Sequence, residues 1–209
     1  MIPATEALER LQKGNARFVS ADQAAGAQSN GVRSKALPVQ QAPFAIILGC
    51  SDSRVPAEIV FDQGLGDLFV IRVAGNIVAP SQVGSVEFAV ERYSTRLVVV
   101  LGHSQCGAVI TALEELHRSS ESRSPNLRSI VDRIRPSVEP LLQTADELDP
   151  ESVLQQAVRA NIRSSVNGLR HGSRILERLI EKDEVVIVGA EYSVESGVVE
   201  FLDGVPDID

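Results

Sequence analysis

The stretch "FAIILGCSDSRV" (residues 44–55) decides the fold, because it joins a short apolar run to a polar loop that contains a cysteine. Residues 44–49 are apolar and rich in branched side chains, and Pro43 and Gly49 bound them, which predicts a strand buried on both faces. The stretch "VVVLGHSQCGAV" (residues 98–109) has the same design further along the chain. The two stretches therefore predict two buried strands, each followed by a loop with chemically reactive side chains.

Similar apolar runs alternate with amphipathic segments through the rest of the chain. Further strands are predicted at residues 67–73, 96–102 and 184–192, and helices at 81–94, 150–172 and 173–182. Such alternation favours a parallel sheet with helices on its faces. The last apolar run, residues 197–203, is predicted to return as an antiparallel strand through the turn "VESG". We therefore predict an α/β fold whose central, mostly parallel β-sheet has four parallel strands plus a C-terminal antiparallel strand, flanked by helices.

Two segments depart from this alternation of strands and helices: the N-terminal residues and residues 111–148. Residues 4–19 have apolar side chains at helical spacing, and a polar, glycine-bearing loop is predicted from Ala21 onward. We expect a single domain over residues 1–209, with about residues 1–35 forming an N-terminal helical arm and loop. Between Thr111 and Leu148 a helical pattern is interrupted by the Ser-rich "RSSESRSPN", and a helix break is predicted at Pro136 and Pro140.

The composition excludes several classes of function. The chain has 209 residues, of which 44% are hydrophobic and 23% charged, as in an ordinary globular protein. Its net charge of -8 opposes nucleic-acid binding, which needs clustered Lys and Arg. No apolar run is long enough for a membrane span, and the first residues lack an apolar secretory core. We expect a cytoplasmic protein that binds neither nucleic acid nor membrane.

The two cysteines, Cys50 and Cys106, are too few for a disulfide framework in a chain of this size. Four interpretations stay open from cysteine identity alone. The thiols can be inert core residues, a single disulfide, a redox pair or metal ligands. The neighbouring residues must decide between them.

The neighbours of the cysteines favour a metal site. Cys50 follows the first predicted strand, and His103 and Cys106 follow the third, so all three can converge where the strands end. Two thiolates and one imidazole form a tetrahedral zinc site with one open position, which is typical of catalytic zinc. An HxxC spacing alone is weak, and a loop histidine beside two packing cysteines is the alternative. Its combination with CxDSR at a second strand end is more specific.

Asp52 and Arg54 lie two residues apart in the first loop, so in an extended backbone they project to the same side and can pair. Elsewhere such a pair is an ordinary surface salt bridge. Beside a zinc ion, a carboxylate within hydrogen-bond reach can orient the reacting oxygen, while the arginine keeps that carboxylate off the metal.

At this point the sequence resembles the β-class carbonic anhydrases, whose signature pairs a CxDSR loop with a downstream HxxC. The resemblance continues through "DQGLGDLFVIRVAGN" and "SVEFAV" and, more weakly, through "GAEYSVESGVVEFL". It implies one Zn²⁺ per chain, held by Cys50, His103 and Cys106. It also implies that Asp52 and Arg54 are the catalytic dyad beside the open metal position.

The resemblance further implies an activity, substrates and an assembly. The activity is zinc-dependent, reversible hydration of carbon dioxide to bicarbonate and a proton, by attack of zinc-bound hydroxide that the dyad orients. Gln41 matches a family glutamine that contacts the substrate from across the dimer interface. Phe69 is similar to an aromatic residue that lines the apolar wall, and Gly107 matches a glycine whose amide can meet bicarbonate. A homodimer or homotetramer is implied, with active-site clefts at the dimer interface and N-terminal helices reaching over the partner. A helix packed on its own core is the alternative placement for that segment.

Three alternatives to this function stay open. The same scaffold can hydrolyse carbonyl sulfide or carbon disulfide, because a zinc-activated hydroxide attacks any linear heteroallene. A zinc or bicarbonate sensor would keep the fold without turnover, although Asp52 and Arg54 would then have no purpose. A redox protein would form a Cys50–Cys106 disulfide, and His103 would then lack a role.

Overall fold

A computed structural model of the protein describes residues 2–24, 41–117, 124–143 and 149–206. Most of the polar loop predicted after the first helix lies outside these ranges, as does most of the Ser-rich interruption before Pro125. Within the described ranges, no helix is both long and apolar enough to cross a membrane. The cytoplasmic location stays a prediction.

The centre of the fold is a five-stranded sheet with the order β2-β1-β3-β4-β5. The first four strands are parallel and the fifth is antiparallel to β4, which confirms the predicted fold class. The strands are β1 (Ala45–Gly49), β2 (Leu68–Arg72), β3 (Leu97–His103), β4 (Val186–Tyr192) and β5 (Val199–Asp203).

The register of the sheet brings the two reactive loops together. Gly49, the last residue of β1, lies opposite Leu101 in β3 and opposite Arg72 in β2. Because the three strands are parallel and in this register, their carboxyl ends meet at one edge of the sheet. Cys50 and His103 leave neighbouring strands at that edge.

Helices cover both faces of the sheet. They are α1 (Ala4–Ala24), α2 (Ala57–Val60), α3 (Pro80–Tyr93), α4 (Gly107–His117), α5 (Pro125–Val138), α6 (Pro150–His171) and α7 (Arg174–Glu181). Side chains alternate between two apolar cores: Val98 and Val100 of β3 pack on the face with α3 to α7, whereas Val99 and Leu101 pack on the face with α1 and α2. Every residue of β3 is buried, as expected for a central parallel strand.

The first helix is longer than predicted and packs on its own chain. It continues to Ala24, into the segment predicted as a loop. Leu8 and Leu11 are fully buried in the core that contains Phe61 and Val99. The apolar stripe of this helix therefore lies on the core of its own chain. That the helix also reaches over a partner stays a prediction.

The helix break predicted at Pro136 and Pro140 falls between the two prolines. Pro136 lies within α5, in its last turn before Val138, and a short 3₁₀ segment (Glu139–Gln143) follows. A proline removes one helical hydrogen bond, but near the end of a helix that loss affects little of the remaining ladder. The apolar stripe of Val131, Ile134 and Val138 is buried and holds the helix against the core. Packing therefore outweighs the local proline signal.

Candidate metal centre

The structure brings the three predicted metal ligands together. Cys50 follows β1, His103 ends β3, and Cys106 directly precedes α4, and all three side chains are buried. Their two sulfur atoms and one ring nitrogen lie within 4.8 Å of one another. Both cysteines are free thiols rather than a disulfide. Two soft sulfur donors and one imidazole nitrogen suit a zinc ion.

The histidine ring is oriented with one nitrogen free for a metal. His103 Nδ1 lies 2.8 Å from the carbonyl oxygen of Ser104. Because a carbonyl only accepts, Nδ1 carries the proton and the lone pair is on Nε2. Nε2 is buried without a hydrogen-bond partner among the described residues. A buried polar atom without a partner is costly, and a metal at the two thiols would satisfy it.

Backbone amides surround both sulfur atoms. The Cys50 Sγ accepts from the Gly75 N–H at 3.3 Å. The hydrogen bond from Cys106, assisted by backbone amides, lowers the pKa of the Cys50 thiol. Donating that bond and being buried raise the pKa of the Cys106 thiol. The site thus favours the thiolate form of Cys50, the form that binds metal.

Asp52 and Arg54 form the pair that the sequence predicts. Arg54 donates from Nε to Asp52 Oδ1 at 3.0 Å and from Nη2 to Oδ2 at 2.9 Å, and its backbone N–H also reaches Oδ1. These hydrogen bonds hold the pKa of the Asp52 carboxyl well below its ordinary value. Asp52 Oδ2 lies 3.8 Å from His103 Nε2, so the carboxylate borders the candidate metal position.

A further arginine that the site motifs did not predict positions the CxDSR loop. Arg72, at the end of β2, donates from Nε to the Cys50 carbonyl at 3.0 Å and from Nη2 to the Asp52 carbonyl at 2.6 Å. These contacts join the loop after β1 to the neighbouring strand. Arg72 is the last residue of β2, and the parallel register places it opposite Gly49, directly before this loop.

The three predicted substrate residues lie at different places. Gly107 is the first residue of α4, next to Cys106, and open space lies where a side chain would begin. Phe69, in β2, packs its ring 6.0 Å from that of Tyr93. Gln41 is exposed, and its Nε2 donates to the Tyr93 hydroxyl at 2.6 Å. Tyr93, which the sequence analysis did not single out, therefore links Gln41 to Phe69.

Fold and site together define a class of protein: an α/β protein with a buried cluster of two cysteines and one histidine that could hold a metal where parallel strands end, bordered by an Asp–Arg pair. The family model described as "Carbonic anhydrase" matches residues 45–199. The chain belongs to the carbonic anhydrase family. This match confirms the resemblance drawn from the CxDSR and HxxC motifs.

Characterised relatives match over nearly the whole chain. The carbonic anhydrase of Mycolicibacterium smegmatis is 38% identical, with 97% of this chain and 95% of the relative covered. Carbonic anhydrase 2 of Mycobacterium tuberculosis is 37% identical, covering 97% of this chain and 94% of its own. These matches confirm the predicted enzyme class.

Solved structures agree with the fold. The β-carbonic anhydrase CcaA superposes with a TM-score of 0.70 at 25% identity, covering 96% of this chain and 86% of its own. A tetrameric β-carbonic anhydrase of Sordaria macrospora has a TM-score of 0.70 at 24% identity, covering 78% of this chain and 82% of its own. The second likeness speaks for the fold alone.

Proposed function

We propose that this protein catalyses the zinc-dependent, reversible hydration of carbon dioxide to bicarbonate and a proton. One Zn²⁺ is held by Cys50, His103 and Cys106, and Asp52 and Arg54 act beside it. The observation that carries this proposal is the buried Nε2 of His103, which has no hydrogen-bond partner among the described residues and lies 3.8 Å from Asp52 Oδ2. It lies beside two thiols in a chain that belongs to the carbonic anhydrase family.

When bound at this site, zinc would supply a Lewis acid that lowers the pKa of a water molecule and so provides a nucleophile near neutral pH. Because the two thiolates cancel the formal charge of the ion, this effect is weaker than in an all-histidine site. We therefore expect hydration activity that rises with pH above neutrality.

Asp52 orients the nucleophile in this proposal. Arg54 occupies both carboxylate oxygens from one side, which leaves the remaining lone pairs of Oδ2 to accept a hydrogen bond beside His103 Nε2. An oxygen that donates its proton to Asp52 points a lone pair away from the carboxylate, toward the substrate carbon. The bidentate contact also restrains the carboxylate from moving toward the metal.

The surroundings of the site supply a place for an apolar substrate. We assign Phe69 to its apolar wall, and Gln41, which Tyr93 holds by a hydrogen bond, to its polar edge. Gly107 lies at the start of α4, where the absence of a side chain leaves its amide accessible to bicarbonate.

We further propose that the functional unit is a homodimer or homotetramer. Phe88 is 52% exposed, and its ring lies 6.2 Å from that of Phe69 and 5.9 Å from that of Tyr93. We call Phe69, Phe88 and Tyr93 the aromatic cluster. A second copy packed over this cluster would bury the Phe88 ring. The tetrameric state of the Sordaria relatives is consistent with this assembly.

The experiment that tests the function is stopped-flow carbon dioxide hydration on protein with quantified zinc, from about pH 6.5 to about pH 9. Activity that rises with pH at one zinc per chain would support the proposal. Cys106→Ser should lose zinc and activity together. Full zinc content without turnover at any pH would contradict the proposal and would direct attention to carbonyl sulfide and carbon disulfide as substrates.

A further inference from the structure

A hydrogen bond to the Cys50 sulfur comes from a distant part of the chain. Gly75 donates its backbone N–H to Cys50 Sγ at 3.3 Å, and this contact is buried. Gly75 belongs to the short 3₁₀ turn Ala74–Asn76, which follows β2. The turn must therefore be held in place if the amide is to remain directed at the sulfur.

The conformation of this turn is unfavourable for most residues. Gly75 has φ 69° and Asn76 has φ 45°, so two successive residues adopt the left-handed region. A side chain at Gly75 would bring its Cβ to 2.8 Å from Ile134 Cδ1 and 3.0 Å from Ala108 Cβ. Such a conformation persists only where the surrounding structure stabilises it.

Two buried polar side chains of α6 provide that stabilisation. Asn161 Nδ2 donates to the Gly75 carbonyl at 2.8 Å, and Ser165 Oγ donates to the Asn76 carbonyl at 2.9 Å. The two residues are one helical turn apart, and both are buried on the side of α6 that faces the apolar core. Buried polar side chains are costly unless they form hydrogen bonds, and here both bonds go to the same turn.

We propose that Asn161 and Ser165 are positioning residues for the Cys50 thiolate: by fixing the Gly75–Asn76 turn, they keep the Gly75 N–H directed at the sulfur. This inference rests on the proposed metal site. An N–H donor draws electron density from a thiolate, so the sulfur donates less charge to a bound metal. The metal therefore remains a stronger Lewis acid than two unassisted thiolates would allow.

The first test uses the unaltered protein loaded with ¹¹³Cd²⁺, which binds thiolates and is visible by NMR. A scalar coupling between the cadmium and the Gly75 amide proton, transmitted through the Cys50 sulfur, is the expected result. Coupling to the β-protons of both cysteines without coupling to Gly75 would overturn the inference and leave the metal site intact. Absence of coupling to the cysteine protons would overturn the metal site and this inference with it.

The second test compares Asn161→Ala with Val166→Ala, a truncation on the same helix at a residue that is also buried and lies beside β4 at Gly189. In Co²⁺-loaded Asn161→Ala, the thiolate-to-metal absorption should move to lower energy, because the sulfur loses its positioned donor. Zinc affinity should fall by about 10-fold. Val166→Ala should lower stability without moving the absorption.

Ser165→Ala should move the absorption in the same direction as Asn161→Ala. Unchanged absorption and zinc affinity in a folded Asn161→Ala protein would overturn the inference. If Asn161→Ala does not fold, the absorption of Co²⁺-loaded Ser165→Ala decides the question, because Ser165 holds the same turn.

Discussion

At the residue scale, His103 and Asp52 show how ordinary hydrogen bonds prepare a metal site. The N–H at His103 Nδ1 donates a hydrogen bond to the Ser104 carbonyl, so the lone pair is on Nε2, close to the two sulfur atoms. Arg54 holds Asp52 through both oxygens and keeps it ionised at neutral pH. Neither contact binds a metal itself, but each determines which atom faces the metal position.

Asp52→Asn should retain zinc and lose carbon dioxide hydration by about 100-fold or more, because one of the two accepting oxygens becomes an amide NH2, which cannot accept a hydrogen bond from Arg54 or from the nucleophile. Stopped-flow rates and zinc content on the same preparation are the measurements. Asp62→Asn is the matched control, since Asp62 also pairs with an arginine, Arg17, but on the surface at the end of α2. Equal rates for Asp52→Asn and the unaltered protein would show that the proposed role is wrong.

At the element scale, buried or capping side chains connect the helices to the sheet. Asn15 of α1 donates to the carbonyls of Val60 and Gly197 and accepts from the Val199 N–H. One side chain thus joins α1 to α2 and to the β4–β5 hairpin. The N-terminal helix is therefore attached to its own chain by polar contacts as well as by its apolar stripe.

Asn15→Ala should lower the free energy of unfolding by about 3 kcal/mol, because three hydrogen bonds are lost and buried backbone groups remain unpaired. Urea unfolding measures this change. Asn167→Ala, at an exposed position of α6, is the control and should change stability by about 0.5 kcal/mol or less. A change in oligomeric mass without a change in stability would instead indicate that α1 is held by a partner chain.

The first turn of α6 should give a pH-dependent contribution to stability. Asp149 caps this helix by accepting from the backbone N–H groups of Glu151 and Ser152, and the Ser152 hydroxyl and amide hold its pKa below the ordinary 3.8. A carboxyl whose pKa is lower in the folded protein stabilises the folded state at pH values above its pKa in the unfolded state. This stabilisation is lost as the pH falls through the pKa of the folded state. The urea midpoint of the unaltered protein should therefore exceed that of Asp149→Ala by the largest amount at neutral pH. This difference should decrease below about pH 4.

Asp149→Asn is the control for this cap, because asparagine also accepts hydrogen bonds at a helix N-terminus but does not titrate. Its urea midpoint should lie between those of the other two proteins at neutral pH. A difference for Asp149→Ala that stays constant as the solution is acidified past pH 3.8 would contradict the role of the ionised carboxylate.

At the scale of the whole molecule, the aromatic cluster presents one half-exposed ring, that of Phe88, on the protein surface. Phe69, Phe88 and Tyr93 contact one another at the outer side of β2 and α3, and Tyr93 accepts from Gln41. Exposed apolar surface of this kind is typical of interfaces. The cluster therefore connects the proposed assembly to the proposed substrate wall.

Phe88→Glu should reduce the oligomeric mass, because a charge at the centre of an apolar interface opposes association. Light scattering after size-exclusion chromatography would report a smaller multiple of the 22.5 kDa chain. Leu127→Glu is the control, since Leu127 is similarly exposed, at 54%, but lies on α5. Identical masses for Phe88→Glu and the unaltered protein would exclude this cluster from the interface.

Local patterns in the sequence predicted the strands, their parallel direction and the residues of the candidate metal site. Apolar runs with glycine at their ends predict buried strands, and parallel strands place Cys50, His103 and Cys106 at one edge. These predictions succeed because burial on both faces and strand-end loops depend on neighbouring residues alone. At Pro136 itself the local signal was displaced by two residues, since packing of the α5 stripe carries the helix through the proline to Val138.

Only the tertiary structure decided which distant groups support the site. The Gly75 N–H on Cys50, the Asn161 bond to the Gly75 carbonyl and the Tyr93 bond to Gln41 join residues far apart in the chain. No spacing rule predicts such pairs, because they form only when helices and strands have packed at particular distances. The sequence by itself therefore predicted the candidate ligands and the family, and the fold decided the hydrogen bonds that orient them.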